Sequence, residues 1–358
     1  MSTLELRNVT KSFGDVVAVD NVDLRVEDNE FYCIFGPPSC GKSTILRLLL
    51  GLASPESGQI LIDGKNVTYL APGERDLAMV FQNLALFPHL TARENLAFPL
   101  RERNVSQETI DATIQSVSEK LRITPLLEKL PAKLSGGERQ RVAIGRALMR
   151  KPRAYLMDEP IAALDARLRE EMRVELKRLQ REVGHTLIYV THDQEEAMSI
   201  ADRMAIMQDG KIVQVGSPYE IYNEPISKFV AQVVGSPPMN FIDGTIRSGT
   251  FQATDFSLEV ASHANLIDGD VTLGVRPEDV ALCTPDSDKG AECSIFEVEP
   301  LGAYSIVDVI VGEKILKSQM QGQPRFKKGQ RVMLSVNAEH CHLFDPRSGA
   351  SLLRRKRS

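Results

Sequence analysis

Apolar and polar positions change rhythm once along this 358-residue chain, near residue 235. Before that point short apolar runs alternate with stretches of helical period, the pattern of an α/β architecture. FYCIF at 31–35 is a continuous apolar run that stops at Gly36, and it predicts a buried strand. AYLMD at 154–158 and TLIYVTH at 186–192 have the same character. After the first run a helix is expected from near Gly41, burying Ile45, Leu48 and Leu49. Between the other two, Leu168, Met172, Leu176, Leu179 and Val183 fall at spacings of 4, 4, 3 and 4. They form one apolar stripe on a charged helix, which predicts packing on the sheet.

GSPPMN at 235–240 is a Gly/Pro-rich break. Beyond it no helix is expected, and short alternating strands take over: FQATDFSLEV, VTLGVRPEDV, SIVDVIV, KILKSQM and RVMLSV. Gly312-Glu313 fits a tight hairpin between two of them. The chain is also too long for one comfortable core. The reading is therefore an α/β domain over 1–235 and a small all-β domain over 236–358, a barrel of oligonucleotide/oligosaccharide-binding (OB) type.

Composition narrows the classes. The formal net charge is −5, so nothing global points to nucleic acid, and the basic tail LRRKRS at 353–358 reads as a solvated end. MSTLELRNVT carries no secretory signal pattern. The most apolar stretch, ILRLLLGLA, is short and interrupted by Arg47, far from a membrane span. A membrane role would have to run through a partner. The five cysteines are scattered, odd in number and without C-x-x-C spacing, which fits a reducing compartment. His340-Cys341-His342 lacks a second ligand cluster and reads as a strand with alternating side chains rather than a metal site.

The chemistry begins at GPPSCGKST, 36–44, which fits G-x-x-x-x-G-K-[ST]. It follows a strand and opens a helix, the context in which such a loop cradles phosphate. Backbone amides from Gly36 through Thr44, those of Ser39, Cys40 and Gly41 included, supply donors together with the helix dipole. Lys42 reaches the β- and γ-phosphates, and the Ser43 hydroxyl takes a place on Mg²⁺. Pro38 removes one donor, and a positive φ at Ser39 would cost roughly 1–2 kcal/mol. Asp158, at the end of AYLMD, is placed to hold the Mg²⁺ shell, and Glu159 to polarise an attacking water. Together these residues read as an ATP site.

LSGGERQR, 134–141, is a second anion-binding helix start, this one without a lysine. Ser135 and Glu138 make a capping box, and Gly136 and Gly137 let a phosphate come close to the exposed amides. One triphosphate has its γ-end already held by Lys42. The economical arrangement is a homodimer in which this element of one copy closes over ATP held by the other.

LSGGERQRVAIGRAL resembles the signature of ABC-type ATPases. The chain from about residue 4 to about residue 345 resembles the ATPase subunit of carbohydrate-importing ABC transporters, the maltose and sn-glycerol-3-phosphate type. The resemblance implies a cassette with a helical subdomain at about 84–150, followed by an OB/TOBE-like domain. VFQNLALFPHLTARENLAF is similar to the family's Q-loop region, making Gln82 a residue that contacts Mg²⁺ or water. PIAALDA is similar to the D-loop, with Asp165 at the dimer seam. THDQEEAM is similar to the switch, with His192 on the γ-phosphate, and Phe13 in KSFGDVVAV matches the aromatic that stacks on adenine. GSPPMNF and GVRPEDV match the sugar-importer branch. The family usually has Gly at the positions of Ser39 and Asn29, often Ser at Pro38, and a Ser where Ala162 stands.

The implied protein is an ATP- and Mg²⁺-dependent ATPase on the cytoplasmic face of the cell membrane. It docks on two transmembrane permease subunits and is served indirectly by an extracytoplasmic solute-binding protein. Three rivals stay open at this point: an importer ATPase for polyamine, iron or another solute, a non-transport ABC ATPase, and a chiefly regulatory binding protein.

Overall fold

The run FYCIF forms strand β3 (Phe31–Phe35), every residue of it buried, in a computed structural model that describes residues 2–162, 164–253, 256–260, 268–283 and 290–352. These fall into two units, Met1–Pro218 and Tyr219–Ser358. In the first unit, β1 (Leu4–Phe13), β2 (Val16–Val26), β4 (Ser57–Ile62) and β5 (Lys65–Asn66) make an antiparallel sheet in the order β2-β1-β4-β5. A second sheet of six strands runs β10-β9-β3-β8-β7-β6. Its members are β6 (Leu77–Val80), β7 (Ala154–Asp158), β8 (Thr186–Thr191), β9 (Arg203–Gln208) and β10 (Lys211–Gly216), with β3. All pairs are parallel except β9 with β10.

Helix α1 (Lys42–Leu50) lies between the two sheets and buries Ile45, Leu48 and Leu49 as the spacing predicts. One apolar core runs from Leu4, Leu6 and Ile60 through this helix to Ile34, Leu156 and Ile188. Three helices, α2 (Ala92–Arg101), α3 (Gln107–Lys120) and α4 (Gly136–Leu148), form a layer between β6 and β7 in the chain. Side chains cap all three: Thr91, Ser106 and Ser135 each accept from an amide of the first turn.

Helix α5 (Ala166–Val183) carries the apolar stripe, with Met172 and Leu176 buried and Leu168 half-buried. The Leu179 and Val183 side chains lie outside the described set. Helices α6 (Gln194–Ile200), α7 (Pro218–Asn223) and α8 (Lys228–Val233) are short.

The second unit holds two five-stranded sheets. One runs β13-β12-β11-β14-β20 and the other β15-β19-β16-β17-β18. The strands are β11 (Asn240–Arg247), β12 (Thr250–Ala253), β13 (Phe256–Glu259), β14 (Gly269–Val275) and β15 (Val280–Cys283), then β16 (Ala291–Pro300), β17 (Tyr304–Val311), β18 (Lys314–Gln321), β19 (Arg331–Val336) and β20 (His342–Phe344). The sheets share a core that includes Phe251, Leu273, Ile295, Val309 and Leu334. Gly312, at φ 58, begins the two-residue turn between the paired Val311 and Lys314, as the hairpin reading expects.

The antiparallel sheet around β1 goes beyond what the apolar runs predict, because β1 and β2 are long, irregular and half polar. One reading needs correction. The segment 340–342 is not one strand: a short helical turn ends at His340, and only His342 opens β20. His340 Nδ1 lies 2.6 Å from Asp279 Oδ1, Cys341 is buried, and no metal-holding group of His, Cys, Asp or Glu occurs among the described residues. The basic tail 353–358 lies outside the described residues, and among those described no helix is long and apolar enough to cross a membrane.

Candidate active site at the strand ends

The phosphate loop is shaped by what it packs on. Gly41 has φ 107, and a Cβ there would come within 2.1 Å of the Ala18 carbonyl oxygen, so only glycine lets β2 approach the loop. Ser39 does adopt the left-handed region, at φ 63, and so does Asn29, at φ 57. Helix α1 starts at Gly41 with no side-chain cap and no acidic residue in its first turn. Its leading N–H groups are therefore not claimed by a capping side chain. Cys40 is buried against the loop, and burial pushes its thiol pKa up, so it packs as a small apolar group.

Lys42 is only 5% exposed. Its Nζ donates to the loop's own carbonyls, Gly36 O at 2.8 Å and Pro37 O at 2.7 Å, and no carboxylate pairs with it among the described residues. A buried ammonium held by carbonyl oxygens, with the Cys40 sulfur 3.9 Å away, suits an anionic ligand. Ser43 Oγ donates to Asp158 Oδ1 at 2.9 Å, joining the first turn of α1 to the end of β7. Asp158 is likewise 5% exposed. Burial pushes its carboxyl above the usual range; the Ser43 bond opposes this and the Glu159 charge adds to it. Hard oxygens on a buried, incompletely balanced carboxylate and a hydroxyl beside it fit a small divalent cation.

Three further residues meet beside this pair. Glu159 follows β7 at φ 46, a left-handed conformation uncommon for glutamate. Its Oε1 lies 2.9 Å from Nδ1 of His192, which directly follows β8. Its Oε2 accepts from Gln82 Nε2 at 3.2 Å, and Gln82 follows β6. Glu159 is the sheltered member of the group, 16% exposed against 51% for His192. Gln82 touches Glu159 and makes no hydrogen bond to Ser43 or Asp158.

The remaining candidates stand apart. Phe13, half exposed at the end of β1, has Lys11 Nζ 5.2 Å from its ring centroid. Asp165 caps α5, accepting from the Leu168 amide at 2.9 Å. Ser135 and Glu138 form the expected capping box, at 3.2 and 2.7 Å. Gly137 has a second reason to be glycine: a Cβ there would lie 2.6 Å from Leu168 Cδ2. No hydrogen bond joins Ser135, Gly136 or Gly137 to the Lys42–Asp158 group among the described residues.

Sequence reasoning missed residues that position these groups by holding backbone. Arg75, buried, donates to Leu48 O, Leu49 O, Thr68 O and Leu70 O at 2.7–3.0 Å and so caps the far end of α1. Arg169 donates to Leu164 O and to Asp193, on either side of the site. Glu196, buried, accepts from Tyr189 and Thr191 at 2.8 and 2.7 Å beneath His192. Isolated charged residues in helices and turns give no sequence signal of such contacts.

A lysine loop and a strand-end Asp-Glu pair, with a helical layer inserted between β6 and β7, define a P-loop ATPase of the cassette class. Residues 19–162 match the ABC transporter family, residues 235–280 the MalK OB fold domain and residues 273–344 the TOBE domain. The chain is 42% identical over 371 residues to the trehalose/maltose import ATP-binding protein MalK of Thermococcus litoralis, covering 98% of this chain and all of the relative. It is 42% identical to the xylose/arabinose import ATP-binding protein XacJ of Haloferax volcanii, over 99% of this chain and 97% of that one. It is 44% identical to the sn-glycerol-3-phosphate import ATP-binding protein UgpC of Rhizobium meliloti, over 96% and 98%. Among solved structures, the dimeric post-hydrolysis state of the ATP-binding cassette MJ0796 bound to ADP and Pi matches with a TM-score of 0.56 at 34% identity, covering 60% of this chain and 98% of that one. The chain belongs to the ABC transporter family of ATP-binding proteins, and it binds and hydrolyses ATP.

Proposed function

We propose that this ATPase powers import of a sugar or polyol-type solute. It works as a homodimer that encloses two ATP molecules on the cytoplasmic face of the membrane and docks on two permease subunits. An extracytoplasmic solute-binding protein serves it indirectly. Support comes from relatives named for import of trehalose/maltose, xylose/arabinose and sn-glycerol-3-phosphate, each aligned over nearly the whole chain, and from the dimeric cassette neighbour.

In this reading the amides of Gly36 to Thr44, Ser39, Cys40 and Gly41 among them, cradle the phosphates, and Phe13 stacks on the adenine. Lys42 exchanges its loop carbonyls for phosphate oxygens. Ser43 and Asp158, with Gln82, would hold Mg²⁺, which neutralises charge on the phosphates when bound. Glu159 orients water, and His192 supports the γ-phosphate. The Ser135-Gly136-Gly137 helix start of the second copy closes over the nucleotide, with Asp165 at the seam. Closure couples to the permease because ATP engages both halves only when they are together.

The observation that carries the reading is the meeting of Gln82, Glu159 and His192, brought from three strand ends to within 2.9–3.2 Å beside the Ser43–Asp158 bond. The test is uptake by a strain lacking this gene, offered labelled maltose, trehalose, xylose and sn-glycerol-3-phosphate. Loss of one of these, restored by the wild-type gene and not by a Glu159→Gln copy, is expected. Unchanged uptake of all four with loss of polyamine or ferric iron uptake overturns the solute class and leaves the ATPase reading standing.

A further inference from the structure

The segment Gln82–Leu90 joins β6 to the helical layer, and its two ends answer to different neighbours. At the near end Gln82 donates to Glu159, at the end of β7. At the far end Asn95, fully buried in α2, takes up the Phe87 amide at 2.9 Å and donates to the carbonyls of Phe87, Leu90 and Thr91 at 3.0–3.2 Å. Between them Leu84 and Ala85 sit at φ 62 and 47, left-handed conformations that cost each residue roughly 1–2 kcal/mol. Something must hold them there.

The amides of Leu84 and Ala85 donate to Phe81 O at 2.9 Å and Asn83 O at 2.7 Å, and their carbonyls are held by Arg146, on α4. Its Nη1 donates to Ala85 O at 2.6 Å and its Nη2 to Leu84 O at 3.1 Å, so one guanidinium takes the carbonyls of both strained residues. The same group lies 5.6 Å over the Phe87 ring, which packs on Phe98 of α2 at 4.6 Å. No carboxylate pairs with Arg146 among the described residues. A flat fork with two parallel donors suits two adjacent carbonyls and an aromatic face, and a lysine ammonium cannot reproduce it.

We propose that Arg146 is a positioning residue for hydrolysis: it fixes the Gln82–Leu90 segment to the helical layer and thereby sets where Gln82 meets Glu159. The helix that begins with Ser135-Gly136-Gly137 thus also governs the glutamine that contacts the hydrolytic carboxylate of its own chain. The inference rests on the reading of Glu159 as the water-orienting residue.

The test compares Arg146→Met, Arg146→Lys, Gln82→Ala and the doubles of Gln82→Ala with each Arg146 variant, in the purified full-length protein. Steady-state ATPase, binding of a fluorescent ATP analogue and the thermal midpoint are measured. Arg146→Met should lower kcat at least about ten-fold with KM changed less than about two-fold, the pattern of an interaction lost in the transition state rather than in binding. In the Gln82→Ala background the same substitution should lower kcat by no more than about two-fold further. Arg146→Lys keeps the charge and the aliphatic stem; it should lose kcat likewise, and it carries the test if the methionine variant fails to fold. Equal kcat losses in the presence and absence of Gln82, or kcat within about two-fold of wild type in a folded variant, overturn the assignment. A Glu159→Gln control that keeps full turnover would instead overturn the functional reading beneath it.

Discussion

Ser43 and Asp158 are hydrogen-bonded at 2.9 Å across 115 residues of chain, so the phosphate loop and the acidic strand end are one structural unit. The bond gives Asp158 a side-chain donor at a site where burial disfavours its charge. Ser43→Ala removes that donor and, on the proposed reading, one ligand of the cation. The Mg²⁺ concentration for half-maximal ATPase should rise about ten-fold or more, read from a titration at saturating ATP.

Glu159→Gln keeps the shape and the Gln82 contact but cannot accept a proton from water. Turnover should fall by a factor of about 10²–10⁴ while ATP binding persists, and sedimentation with Mg²⁺-ATP should show a trapped dimer. Undiminished steady-state hydrolysis would remove Glu159 from its role.

Ser39→Gly relieves a left-handed serine at φ 63. The relief is offset in part by the greater freedom glycine gives the unfolded chain, so the thermal midpoint should move by the equivalent of about 1 kcal/mol or less. ATP affinity, measured by titration, should hold or tighten. A sharp loss would mean that the Ser39 side chain, and not only its amide, serves the nucleotide.

Arg75→Met strips a buried cation from four carbonyls, two of them at the C-terminal end of α1. Leaving those carbonyls unmet should cost roughly 2–4 kcal/mol, visible as a lower midpoint in chemical denaturation. Because α1 begins with Lys42, weaker ATP binding should accompany the loss.

Asp76 ties the helical layer to the sheet, accepting from Arg103 at 2.9 Å and Arg150 at 2.8 Å. Partial burial raises its pKa, but the two guanidinium bonds outweigh this and hold it below the usual value. A carboxyl depressed in the folded state adds stability above its unfolded pKa and loses it as pH falls through the folded one. The group is 36% exposed, so solvent screening keeps the gain under about 1 kcal/mol. Asp76→Asn, which tolerates the local φ of 50, should lower the melting temperature at neutral pH. The difference from wild type should shrink below about pH 4.

Much of the site was legible because its chemistry sits where sequence patterns change. FYCIF and AYLMD end on Gly36 and Asp158, and both strands occur over the residues read. The capping box at Ser135 and the positive φ at Ser39 were equally local. What the pattern hid is long-range. Arg75, Arg146 and Arg169 work by donating to carbonyls of the main chain, which have no residue identity to read. β11, β15, β16 and β20 escaped because three of them are short or mixed in polarity, and β16 (AECSIFEVEP) alternates too weakly to stand out.

Glu159 has a neighbour on each carboxylate oxygen, His192 on one and Gln82 on the other. The three side chains follow the adjacent strands β6, β7 and β8. The spacing of neighbouring strands in one sheet therefore sets the spacing of the cluster, and a change in how any of these strands ends would be felt by all three groups.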